Sequence, residues 1–217
     1  MNEGVVQFTF RLESASPPTE RAAVELTRWR AKLFERDAIG CDLSRYGACY
    51  GNVSVRTGPW AAPPGRREFL VSGTQTGGIA GAGPSTLCRV LAYDHERNRV
   101  IAQGPVPPSS ETMTHGAIYD AALDIRCVVH GHDPVLWRWI LDQAGPHTPP
   151  DVAYGTPEMA AAARRVVRSP QVRSWRCPSV LAMAGHEDGV IAWGASPKQA
   201  TQRFLAAWDA SRDGEQR

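Results

Sequence analysis

Four runs of strand character follow one another with only turns or loops between them, and that succession constrains the fold more than any other feature of the chain. They are Asn52-Val53-Ser54-Val55-Arg56 and residues 68–72, 87–93 and 99–103. Each is β-branched or alternating and is bounded by Gly, Pro, Asn or Asp. Strands that follow one another without an intervening helix pair largely antiparallel, because a parallel return is usually carried by a crossover helix. The turn Asp94-His95-Glu96-Arg97-Asn98 makes the last two a β-hairpin. From about Thr112 the pattern changes to helix (112–123), strand (126–130) and helix (134–143). A helix at 157–167, strands at 179–183 and 190–193, and a last helix at 197–211 follow, the last carrying Ala200, Phe204, Ala207 and Trp208 on one face. Near the N-terminus Val6, Phe8, Phe10 and Leu12 alternate with polar residues as in a half-buried strand. Thr19 is placed to cap a helix bearing Ala22, Leu26, Trp29 and Leu33. The expectation is one α/β domain over residues 1–217 with a largely antiparallel sheet.

At 217 residues, 42% apolar and 21% charged, the chain is long enough to bury a real core. A formal charge of +2 argues against a nucleic-acid partner, and the arginines of residues 164–176 read as a solvated helix face and loop. No apolar run approaches the ~20 residues that span a bilayer, and the N-terminus has no basic-then-apolar signal pattern. The five cysteines are odd in number and lack CxxC spacing, so they are expected as small buried hydrophobes in a reducing compartment. A soluble, cytoplasmic protein with no membrane or nucleic-acid partner follows. The Gly-rich residues 72–85 resemble a linker, but inside a compact domain such a loop is more often functional.

The chemistry concentrates in Pro108 to His132. His130-Gly131-His132 ends a short β-branched run, and in a strand residues i and i+2 point the same way, so both imidazoles can reach one metal. Ser109-Ser110-Glu111 precedes a helical pattern, where hydroxyls and free N–H groups can surround an anion. His115 lies four residues after Glu111, on the same helix face. A metal beside an anion pocket suggests an enzyme for a phosphorylated substrate. The plainer readings are a pair of structural strand histidines, a serine helix cap and a turn asparagine at Asn52. His95 and His147 sit in polar, turn-like settings and read as surface residues.

These pieces, taken in order, resemble the class II aldolase/adducin family, which includes fuculose-phosphate aldolase and ribulose-phosphate 4-epimerase. The matching residues are Gly51-Asn52-Val53-Ser54-Val55-Arg56, Ser72-Gly73, Pro108-Ser109-Ser110-Glu111 with His115, Val128-Val129-His130-Gly131-His132, Tyr154-Gly155-Thr156, and His186 ahead of Gly189-Val190 and Gly194. The resemblance implies a three-layer α/β/α sandwich with a largely antiparallel central sheet, and commonly a homotetramer with sites between neighbours. It implies His130, His132 and His186 as ligands of Zn²⁺ or another divalent transition metal. It also implies Glu111 as the catalytic acid/base, and Asn52, Ser72, Gly73, Ser109 and Ser110 around the substrate phosphate. The implied activity is a zinc-dependent aldolase-type lyase acting on a small phosphorylated hydroxy-ketone through a metal-stabilised enediolate. An epimerase, dehydratase or decarboxylase shares that early chemistry, and a non-catalytic adducin-like binding module shares the fold.

Two departures from the family bear on the site. Glu187 and Asp188 are inserted between His186 and Gly189, which puts a carboxylate close to the implied metal. The segment between Asp133 and Tyr154 is shorter than in the sugar-phosphate enzymes, so no second catalytic acid carries over. Asp142, His147 and Tyr154 are available for that role.

Overall fold

Strand alternation sorts the apolar side chains onto two faces of one sheet, and helices from different parts of the chain cover each face. The computed structural model describes residues 5–213. In chain order the elements are β1 (Thr9–Ser14), α1 (Arg21–Phe34), β2 (Gly40–Asp42), β3 (Ala48–Tyr50), β4 (Asn52–Arg56), β5 (Phe69–Ser72), β6 (Leu87–Asp94), β7 (Arg99–Gly104), α2 (Thr112–Tyr119), β8 (Cys127–His132), α3 (Pro134–Asp142), α4 (Pro157–Arg168), α5 (Gln171–Ser174), β9 (Val180–Ala182), β10 (Gly189–Gly194) and α6 (Pro197–Asp213). Eight strands form one sheet in the order β1-β7-β6-β5-β4-β8-β10-β9. The pairings are antiparallel except for β1 with β7. Val53, Val55, Leu70 and Val129 face Leu26, Leu136 and Phe204 from α1, α3 and α6. Phe69, Val71, Val90 and Val128 face Met113, Ile118 and Met159 from α2 and α4. The result is the three-layer α/β/α arrangement.

Several local expectations need correction. Phe8 joins the core but Phe10, in the parallel edge strand β1, is 40% exposed. Helix α1 has Glu20 as its N-cap residue with no side-chain cap, in place of Thr19. Its buried face is Ala23, Leu26, Thr27, Arg30 and Leu33, so Ala22 and Trp29 are only half-buried. The shift is set by Arg30, whose guanidinium donates to the carbonyls of Ile79 (3.1 Å), Thr76 (2.9 Å) and Gly77 (2.7 Å). A buried cation is tolerated when its donors are satisfied in this way, and here it pins the Gly-rich loop. Helix α2 stops at Tyr119, short of the expected 123, where the C-cap Asp120 takes a hydrogen bond from Tyr93 Oη at 2.8 Å.

The hairpin β2–β3 was not legible in the sequence. Its register sets Cys41 opposite Cys49, and the two form a disulfide with their Cα atoms 3.8 Å apart. This corrects the expectation of five unpaired cysteines; only Cys88 and Cys127 are buried thiols, and Cys177 is half-buried. The Gly-rich loop lies on this hairpin. A Cβ on Gly78 would stand 2.8 Å from Cys41 Cβ, and one on Gly77 would collide with the carbonyls of Tyr50 and Gly40. Glycine is required there for close backbone approach. No helix among the described residues is long and apolar enough to cross a membrane.

Candidate metal centre

The end of β8 brings the first two histidines together. His130 and His132 share the α2 face of the sheet, while Gly131 between them turns toward Phe204 of α6. On the neighbouring strand Gly189 lies opposite His132. A tight turn joins β9 to β10, with Met183 N donating to Gly189 O (2.8 Å) and His186 N to Met183 O (2.9 Å). That turn delivers His186 to the end of β8. One ring nitrogen from each of the three histidines lies within 4.8 Å of the others. Their exposures are 0% for His130, 3% for His132 and 1% for His186.

The donor set fits a divalent transition metal. His130 Nδ1 lies 3.2 Å from the carbonyl of Val190, which fixes the proton on Nδ1 and leaves Nε2 with a lone pair. That Nε2 is buried with no hydrogen-bond partner among the described residues. Burial holds both His130 and His132 well below the ordinary imidazole range, and the neighbouring His186 lowers them further. They are therefore neutral, as metal ligands must be.

The surrounding shell contains residues that sequence reasoning did not find. The Tyr46 and Tyr50 rings pack on His132 at centroid distances of 4.9 and 5.3 Å. Tyr46 Oη donates to Asp188 Oδ2 at 2.6 Å, and Arg45 Nη2 contacts the same oxygen at 2.6 Å. Among the described residues the ligand cluster holds neither Glu187 nor Asp188. Asp188 instead ties the β2–β3 turn to the turn that carries His186. Burial and the bond to Asp188 push the Tyr46 hydroxyl far above the usual phenol range, so it stays a donor. Tyr154 stacks on His186, with ring centroids 4.6 Å apart and 24° between planes. Of the three candidate acids, Asp142 and His147 are exposed and Tyr154 is the one placed against a histidine. Tyr46 and Tyr50 lie in a turn-rich segment with no chemical pattern, so the sequence carried no signal for them.

The residues expected around an anion converge on the same end of the sheet. Asn52 pairs with His130 across β4 and β8. Extending the β4–β5 register by two places sets Asn52 opposite Gly73, which bridges to Pro108 beside Ser109. Asn52 Oδ1 is buried without a hydrogen-bond partner among the described residues. Ser72 Oγ accepts from Val53 N (3.0 Å) and Gly73 N donates to Thr86 O (2.8 Å), so both are engaged within the protein. Ser109 Oγ accepts from Glu111 N at 3.4 Å. Glu111, the N-cap residue of α2, is fully buried. One turn on, His115 Nδ1 shares a hydrogen bond with Ser54 Oγ (2.7 Å), which in turn meets Tyr119 Oη at 2.6 Å. Burial drives the His115 imidazole down to about 3.

Residues 43–212 match the family model for the Class II Aldolase and Adducin N-terminal domain. A comparison with curated protein sequences returns no match. Among solved structures the chain is similar to L-fuculose-1-phosphate aldolase from Thermus thermophilus, at 19% identity and TM-score 0.60 over 88% of this chain and 91% of that one. It is similar to a sugar-phosphate aldolase from Thermotoga maritima, at 15% identity and TM-score 0.65 over 88% and 92%. It is also similar to YgbL from Klebsiella pneumoniae, ascribed to an aldolase/epimerase/decarboxylase class, at 20% identity and TM-score 0.60 over 88% and 87%. At these identities the structural likeness speaks to the fold.

Proposed function

Because this chain belongs to the class II aldolase and adducin family, we propose that it is a zinc-dependent lyase of the aldolase type, acting on a small phosphorylated hydroxy-ketone. The observation that carries the reading is the convergence of three buried histidine nitrogens within 4.8 Å. Such buried imidazoles, one held in a defined tautomer by Val190 O, suit a ligand role better than a packing role. A set of three neutral imidazoles leaves coordination positions open, the pattern of a catalytic zinc site. Bound there, the ion supplies Lewis-acid polarisation of a carbonyl oxygen.

The chain's own residues do the rest. Glu111, excluded from water, takes and returns the proton as the substrate bond breaks. Ser109, Ser110 and the N-terminus of α2 hold the substrate phosphate, where hydroxyls and the helix dipole both favour negative charge. Asn52, its side-chain oxygen unpartnered, completes that pocket with its amide. Ser72 and Gly73, already engaged with Val53 and Thr86, shape the pocket wall through the backbone. Tyr154 and the Tyr46–Asp188 contact keep His186 and its turn in place. The reading includes a homotetrameric assembly, which light scattering on the full chain tests.

Metal analysis of the purified chain, followed by a screen of phosphorylated ketoses with and without chelator, tests the proposal. The expected result is about one divalent ion per chain, as a single three-ligand site implies, and chelator-sensitive cleavage into two smaller products. Turnover that yields an isomer of unchanged mass would assign the site to epimerisation instead. A chain that retains no metal would overturn both readings.

A further inference from the structure

At the other end of α2 from Glu111 there is a second concavity, of about 540 Å³, unconnected with the histidine cluster. Its floor is Asp120, the C-cap residue of α2, whose side chain is completely buried. That carboxylate accepts a hydrogen bond from Tyr93 Oη at 2.8 Å, with Arg67 Nε 3.7 Å and His95 Nε2 3.4 Å from its oxygens. The wall carries Arg66, Arg99 and Arg164. None of the three forms an ion pair among the described residues, whereas the neighbouring Asp94 is taken by Arg97 at 3.3 Å. His95 also lines the cavity, and neither of its ring nitrogens has a hydrogen-bond partner among the described residues. It is thus a built feature of this cavity and not the plain surface residue that its sequence setting suggests.

The surface is held in shape before any ligand arrives. Asp94 Oδ1 accepts from the amides of Glu96 and Arg97, both at 3.0 Å, which fixes the β6–β7 turn. Tyr93 N donates to Gly65 O at 3.0 Å, which ties the loop bearing Arg66 to that turn. The chain as a whole carries a formal charge of only +2, so three unpaired guanidinium groups around one concavity do not follow from general basicity. Exposed Glu96 also lines the cavity but leaves the cations in excess. Like charges gathered on one concave wall attract a counter-ion. Guanidinium groups match phosphate oxygens in bidentate geometry, and a volume of this size lies within the range of small-molecule sites.

We propose that this cavity is a second ligand site, independent of the metal centre, that takes a small polyanion carrying two or more phosphate groups. Inorganic pyrophosphate is the probe, titrated calorimetrically into full-length proteins: wild type, His132→Ala, the pair R99E/R164E, the pair combined with His132→Ala, Ser110→Ala in the His132→Ala background, and R66E. The His132→Ala background removes metal-dependent binding at the first site, and any binding in it that Ser110→Ala also abolishes is assigned to the serine pocket and set aside, so the two sites are read separately. Binding should persist in His132→Ala and weaken by about tenfold or more on adding R99E/R164E, as expected for lost hydrogen bonds to a charged group. R66E alone should weaken it in the same direction. Arg66 and Arg99 are exposed and Arg164 is partly so, and unchanged melting temperatures of the ligand-free variants establish that they fold. Pyrophosphate binding that survives the charge reversals in the His132→Ala background, or that is absent from that background altogether, overturns the proposal.

Discussion

Replacing Gly131 by alanine should damage both the fold and the metal centre, although the residue offers no ligand. A Cβ there would stand 2.8 Å from the backbone oxygen of Ala38 and 3.0 Å from Phe204 Cζ, against an ordinary contact that begins near 3.4 Å. The Phe204 ring is fully buried, and Ala38 O is the acceptor for His132 N at 2.8 Å. Relief therefore requires β8 to move by about half an ångström away from its own hydrogen-bond partner, carrying His130 and His132 with it. Overpacking of this kind typically costs about 1–3 kcal/mol. For a chain of this size that lowers the melting temperature by roughly 2–12 °C. Disturbance of groups that orient metal ligands commonly weakens affinity by about 10–100-fold. Thermal melts and competitive zinc titration of Gly131→Ala measure both effects. Gly83→Ala is the control, since a Cβ there meets nothing within 4 Å, and it should stay within about 0.5 kcal/mol of wild type. A Gly131→Ala protein with unchanged melting temperature and zinc affinity would refute the argument.

Other perturbations separate the roles of individual groups. His132→Ala should abolish stoichiometric metal retention, and atomic absorption showing full occupancy would remove His132 from the ligand set. Glu111→Gln should lower turnover by about 10²–10⁴-fold with an unchanged far-UV spectrum; near-normal turnover would place the proton transfer elsewhere. Ser110→Ala should raise KM through a lost bond to a charged group, worth about 1.5–3 kcal/mol. A fall in melting temperature with unchanged KM would instead leave the serine as a helix cap. The metal-free protein should lose stability on acidification, because His115, pushed down to about 3 by burial, binds a proton when unfolded but not when folded. The share of His115 begins below the unfolded imidazole value of about 6.5 and reaches about 2 kcal/mol by pH 5, and the lowered His130 and His132 add to the loss in the same direction. Urea unfolding at pH 7.5 and pH 5 measures it, and His115→Gln should show a visibly smaller difference; an equal difference would assign the effect to other groups.

Much of this protein was fixed by local pattern. The alternation in β4 to β7 and the absence of any helical pattern between them pointed to an antiparallel sheet, since no helix intervenes to carry a crossover. The pairing of His130 with His132 was also local, because the strand period of two puts both on one face whatever surrounds them. His186 is different: its place depends on the β9–β10 turn meeting the end of β8, and the sequence supplied it only through resemblance to a family. The tertiary structure alone decided what surrounds these groups. Arg30 reads as one more helical arginine until three loop carbonyls close on it. Cys41 and Cys49 appear unrelated until the hairpin register sets them face to face. Asp188 looks like a further metal ligand until Tyr46 and Arg45, more than a hundred residues upstream, occupy it. Periodicity reports which side of an element is buried, but a buried polar group is satisfied by whichever partner the packed chain brings within about 3 Å, and that partner has no fixed spacing in sequence.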